Sequence, residues 1–129
     1  MPHRPTTVHF RTALLRDALA IVEAEYADDL TLDDVARRVA TSRRQLQRAY
    51  AEIGRTTFRH HLTRVRMDRA ADLLADRGLT VREVAARVGY RQPAQFAKAF
   101  RRHIGEGPSE YRARALGTGF GGVHTRAAA

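Results

Sequence analysis

Apolar residues recur along this chain at the three- and four-residue steps of amphipathic helices. Phe10, Leu14, Ala18, Ile21 and Val22 make one face of a helix over about Val8–Ala27, which Thr6 or Thr7 is placed to cap. Val35, Ala36 and Val39 point inward from a short helix over about Leu32–Val39, opened by the capping-box-like Thr31-Leu32-Asp33-Asp34. Ala40-Thr41-Ser42 then turns the chain, and Ser42 caps a helix from Arg43 to about Ile53. Leu46, Ala49, Tyr50 and Ile53 form its inner face, and Gly54 is placed to end it. A long helix follows over about Thr57–Asp76, with Phe58, Leu62, Val65, Ala70, Leu73 and Leu74 apolar, and Arg77-Gly78 stops it.

The pattern then returns. Thr80-Val81-Arg82-Glu83 is a full capping box. Val84, Ala85 and Val88 repeat Val35, Ala36 and Val39 at an offset of 49, while Phe96 and Phe100 repeat Leu46 and Tyr50 at an offset of 50. The second turn, around Gly89, is therefore one residue longer. Gly107-Pro108-Ser109 opens a closing helix through Tyr111 and Arg112. The expected fold is all-α, two helix-turn-helix subdomains joined by a long linker helix. Residues 1–7 are a flexible lead-in, 8–55 the first subdomain, 56–78 the linker, 79–116 the second subdomain and 117–129 a disordered tail.

Charge narrows the function. The net charge of +9 is unevenly placed, since residues 1–40 are slightly acidic and residues 41–116 carry a net +10. Such a field favours polyanions, chiefly nucleic acid. All basic residues but Lys98 are Arg. Arg suits bidentate contacts with phosphate and guanine, although a GC-rich genome gives the same bias. Glu23, Glu25, Asp28 and Asp29 make the end of the first helix acidic, which fits a packing lid better than a DNA face. There is no Cys, which excludes disulfides and thiol chemistry. No apolar run is long enough to span a membrane and no signal-peptide core is present, so the chain is expected in the cytoplasm. The six His form no i, i+4 pair with a nearby acidic ligand, so no metal is expected. No cofactor and no catalytic group are expected either, because a glycine-rich phosphate loop and a clustered acid–base pair are both missing.

With Leu46 and Tyr50 inward, Arg44, Gln47, Arg48 and Ala51 occupy the opposite face of their helix. Arg and Gln pair bidentately with guanine and adenine edges in the major groove, whereas the plain alternative is a solvated surface. The equivalent second positions are Ala94, Ala97, Lys98 and Arg101, with Gln95 beside them and Arg91 and Gln92 at the helix entrance. The first helix is thus expected to read bases more stringently and the second to anchor. Thr41, Ser42, Thr57 and Ser109 are suited to capping, and hydroxyls and N–H groups there also suit phosphate. Arg43, Arg91, Arg101 and Arg112 are further candidate phosphate contacts. A linker of about 20 residues is about 30 Å long, near the helical repeat that separates successive major grooves. One chain is then expected to bind an asymmetric duplex site.

The segment GY-x5-F-x3-FRRHIGEGPSEYR resembles the closing signature of the AraC/XylS family of bacterial transcription regulators. LTLDDVARRVATSRRQLQRAYAEIGRTTFRHHLTRVRMDRAADLL resembles that family's first helix-turn-helix and linker. The resemblance covers about Val8 to Arg114. It implies seven helices, Arg44, Gln47 and Arg48 in one recognition helix, and Gln92, Gln95 and Lys98 in or beside the other. It departs at Gly107, where the family usually has Ser or Thr. It departs again at Pro93, which is tolerable only in a first helical turn. The short flanks resemble the stand-alone, MarA/SoxS-like members, which implies monomeric binding and contact with RNA polymerase. Three other readings stand beside this one: a nonspecific nucleic-acid binder, the DNA-binding part of a longer effector-responsive regulator, and a DNA-repair enzyme or accessory.

Overall fold

The structure, a computed structural model, describes residues 5–117. These residues form seven helices: α1 (Pro5–Glu25), α2 (Leu32–Arg38), α3 (Arg43–Glu52), α4 (Phe58–Leu74), α5 (Val81–Arg87), α6 (Pro93–Ile104) and α7 (Pro108–Gly117). The chain divides into two compact units, with the division inside α4 between Val65 and Arg66. Each unit is described by itself.

In the first unit, α1 packs on α3 and α2. Leu14, Leu15, Ala18, Val35, Ala36, Leu46, Ala49 and Tyr50 form its main core, and Val22, Leu62 and Val65 form a second cluster. Leu14, Ala18 and Val22 of the expected α1 stripe are buried, and the departure is at its start. Phe10 is 51% exposed, while Arg11 and Leu15 turn inward. The inner positions 11, 15, 18 and 22 keep helical spacing, but Arg11 enters because it pairs with Glu52 at the end of α3. The helix also begins earlier than expected. Thr6 and Thr7 therefore lie within the helix instead of capping it, and residues 1–4 of the expected lead-in lie outside the described residues.

The two short helix pairs end their first helices in the same way. Thr41 N–H donates to Ala36 O and Ala40 N–H to Arg37 O; Tyr90 N–H donates to Ala85 O and Gly89 N–H to Ala86 O. Both are Schellman turns, in which the residue after the C-cap adopts a left-handed conformation. That residue is Gly89 at φ 97° in the second unit and Ala40 at φ 58° in the first. Ala40 adopts it against its side chain's preference. Beyond these turns Ser42 caps α3, three residues after Val39, whereas Gln92 precedes α6, four residues after Val88. This is the extra residue expected from the change of offset.

Gly54 acts differently from the expected helix stop. The left-handed residue there is Arg55, at φ 57°. A Cβ on Gly54 would lie 3.0 Å from Tyr50 O and 3.3 Å from Leu15 Cδ2, so its lack of a side chain permits close packing beneath α1. The linker helix is also shorter than the expected 20 residues. It spans 17, because Asp76 Oδ1 accepts from Gly78 N–H at 2.8 Å and draws the chain into a turn.

The second unit buries Met67, Ala70, Leu74, Val84, Ala85, Val88, Phe96, Phe100 and Tyr111. Edge-on and tilted ring contacts link Tyr90 to Phe96, Phe96 to Phe100 and Phe100 to Tyr111. The Thr80–Glu83 capping box is complete, with Thr80 N–H donating to Glu83 Oε1 and Glu83 N–H to Thr80 Oγ1. At Gly107 half of such a box survives, since its N–H donates to Glu110 Oε1 at 2.7 Å. α7 runs on to Gly117, past the expected end near Arg112, and the rest of the expected tail lies outside the described residues.

Candidate nucleic-acid interface

α3 presents two opposed faces. Leu46, Ala49 and Tyr50 are buried, and Arg44, Gln47, Arg48 and Ala51 are exposed. Its N-terminus is fixed by Ser42, whose Oγ accepts from Gln45 N–H at 3.1 Å. Inside the unit the Tyr50 hydroxyl meets His61 Nδ1 at 2.9 Å, and Phe58 packs edge-on against the Tyr50 ring. These contacts hold the inner face of α3 against the start of α4, so the outer side chains project from a rigid base.

A concave surface joins that outer face to the start of α4. Arg43, Arg44, Gln47, Arg48 and Glu52 line one side, and Thr56, Thr57, Phe58 and Arg59 the other. Thr57 Oγ1 accepts from His60 N–H at 3.1 Å and so caps α4, whose first-turn N–H groups open at the same rim. Arg59 was not among the residues picked out from the sequence. Its only local signal is a basic residue in the first turn of a helix, which is common. The folded chain is what carries it to α3.

Several expected contacts have intramolecular partners as well. Arg43 Nη1 lies 3.6 Å from Asp33 Oδ2, and Arg48 Nε lies 3.6 Å from Glu52 Oε2. Both arginines remain about half exposed or more, so the pairs leave them open to a ligand. Thr41 is half-buried in the Schellman turn. The acidic end of α1 is partly neutralised, since Glu25 takes both nitrogens of the Arg38 fork at 2.6 Å. That bond lowers the Glu25 carboxyl and raises the Arg38 guanidinium from their ordinary values.

In the second unit, Phe96 and Phe100 are buried and Ala94, Gln95, Lys98 and Arg101 are exposed. Pro93 occupies the first position of α6, where its missing N–H costs nothing, and Gln92 precedes it without a side-chain capping bond. Arg91 and Gln92 are exposed at this entrance. Arg101 Nη2 lies 3.6 Å from Glu110 Oε1. Ser109 is exposed within α7 and does not cap it; Gly107 does.

Arg112 is placed differently from the expected phosphate contact. Its Nε donates to Leu74 O at 2.9 Å and its Nη2 to Asp76 O at 3.1 Å. The guanidinium closes the C-terminal end of α4, where carbonyls lack helical partners and the helix dipole favours a cation. Among the described residues no group of His, Asp or Glu is arranged to hold a metal ion, and no helix is long and apolar enough to cross a membrane.

Comparison with known proteins agrees with this geometry. A helix-turn-helix domain family matches residues 35–114. An uncharacterised HTH-type transcriptional regulator of Mycobacterium bovis is 44% identical over 84 residues, covering 65% of this chain and 24% of its own length. Several curated relatives are longer, and this chain spans 24–36% of their length. A transcriptional regulator of Chromobacterium violaceum with an AraC-type DNA-binding domain superimposes with a TM-score of 0.76 at 27% identity, over 82% of this chain and 95% of that one. The DNA-binding domain of AdpA, solved with a target DNA, gives 0.77 at 28% identity over 84% and 97%.

Proposed function

Because this chain belongs to the AraC family of DNA-binding transcription regulators, which are not enzymes, we propose how its two units divide the work. Each lays its recognition helix, α3 or α6, in a major groove of the same duplex site. α3 reads bases through Arg44, Gln47 and Arg48. α6 adds Lys98 and Gln95, with Gln92 at its entrance, over a face that is otherwise alanine. Arg43, Arg91 and Arg101 hold phosphates, joined by Ser42, Thr41 and Thr57 in the first unit and by Ser109 in the second.

The observation that carries this is the row of Arg44, Gln47 and Arg48 on the exposed face of α3, opposite a fully buried Leu46 and Ala49. These side chains match the donor and acceptor patterns of guanine and adenine, whereas Ala94 and Ala97 offer only contact with a thymine methyl. With two recognition helices in one polypeptide, a single chain fills the site and no palindrome is required. Contact with RNA polymerase and work in the cytoplasm complete this reading.

Selection of bound duplexes from a random pool at fixed salt tests it. The expected product is an asymmetric site with two unlike elements and steeper single-base penalties in one of them. Equal affinity for every sequence, with steep loss on adding salt, would make the chain a nonspecific binder instead.

A further inference from the structure

We propose that Glu52 is a positioning residue for base recognition, fixing the aim of Arg48 through a chain of three charges anchored in the core. This rests on the reading of Arg48 as a base contact. Arg48 Nε lies 3.6 Å from Glu52 Oε2, one helical turn away on α3. Glu52 Oε1 in turn accepts from the Nη1 of Arg11, an α1 side chain only 6% exposed. The carboxylate is thus held from behind by a buried cation and faces Arg48 with its other oxygen.

Two features set this acid apart from a solvated surface charge. It ends α3, where the helix dipole disfavours a negative group. It also lines the concave surface with Arg43, Arg44 and Thr57, where a phosphate-binding face gains nothing from a carboxylate. Helix stability and nonspecific affinity therefore both oppose Glu52, and its pairing explains its place. An exposed Arg has many rotamers to lose on binding, and a partner at its Nε reduces them while leaving both Nη groups to form the fork that guanine accepts.

The second unit lacks this device. At the offset of 50, Lys98 replaces Arg48 and Arg102 replaces Glu52, which puts two cations where the first unit has an ion pair. The contrast falls on the same side as the division between base reading and anchoring.

The test measures binding of the full chain to its selected site and to every single-base variant of it, for Glu52→Gln and Arg48→Ala. Since Glu52→Gln leaves Arg11 without its carboxylate, Arg11→Met/Glu52→Gln is measured too, with thermal melts for all. Glu52→Gln and the double variant are expected to lose about tenfold in discrimination at the base position that Arg48→Ala also relaxes. Binding to random duplex should hold or rise, because a negative charge has gone. A purely structural role would lower all sequences alike. If Arg48→Ala relaxes one position and neither Glu52 variant does, the proposal is overturned while the reading of Arg48 stands. If Arg48→Ala weakens all sequences equally, that reading fails and the proposal with it.

Discussion

The Tyr50 hydroxyl and His61 Nδ1 lie 2.9 Å apart in the interior of the first unit, joining the inner face of α3 to α4. His61 is 3% exposed. Burial, and then the Arg64 charge, hold its pKa below the ordinary imidazole value, while burial raises that of the Tyr50 phenol. Both groups are neutral at pH 7, and the phenol can donate to the ring nitrogen.

A pH dependence follows with a definite sign. An unfolded His61 takes up a proton near pH 6.5, while the folded one resists until lower pH. The unfolded state therefore binds more protons in that interval, and the stability contributed by neutral His61 is present above about pH 6.5 and lost as pH falls through the folded pKa. Denaturant unfolding at a series of pH values should show stability falling as the pH drops below about 6.5. His61→Gln, which cannot titrate, should flatten that part of the profile. An unchanged slope would locate the acid sensitivity elsewhere.

Ala40 and Gly89 occupy equivalent left-handed positions, and only Gly89 does so without a side-chain penalty. Ala40→Gly is expected to relieve about 1–2 kcal/mol of backbone strain, less about 0.5–1 kcal/mol for the freer unfolded chain, so a small net stabilisation should appear in denaturant melts. Gly89→Ala should destabilise by about 1 kcal/mol for the same reasons in reverse. Equal effects of the same sign would contradict this account.

Arg48→Ala should cost about 1–3 kcal/mol of binding and relax one base position, whereas Arg101→Ala should weaken all sequences evenly and lower the salt slope by about 1. Titrations at three salt concentrations with the selected site and a random duplex separate the two signatures. Base-specific loss on Arg101→Ala would make Arg101 a base contact instead of a phosphate contact.

Arg112→Ala removes the donors to Leu74 O and Asp76 O. Stability is expected to fall by about 1–3 kcal/mol, with DNA affinity at low temperature and its salt slope little changed. A reduced salt slope with an unchanged melt would return Arg112 to the phosphate contacts.

Patterns spanning a few residues were legible in the sequence. The apolar spacing located the longer helices and the repeated short ones, Gly107-Pro108-Ser109 marked the start of the last, Thr31, Ser42 and Thr80 cap where their neighbours implied, and the offsets of 49 and 50 foretold two related turns differing by one residue. The exposed row of Arg44, Gln47 and Arg48 was legible too, because helical geometry fixes which side chains oppose Leu46 and Tyr50. The rest depended on groups far apart in the chain. Phe10 and Arg11 are neighbours of equal helical merit, and the one that turned inward meets a carboxylate 41 residues away. Arg112 looked like a phosphate ligand until carbonyls 36 and 38 residues away took its donors. Gly54 looked like a helix stop, yet the left-handed residue is Arg55 and Gly54 lets Leu15 approach closely. Local spacing and capping follow from backbone geometry within about one helical turn, so the sequence determined the elements and their faces. Ion pairs and close packing need the partner brought near in space, so only the tertiary structure decided which charges are held in intramolecular bonds and which stay exposed.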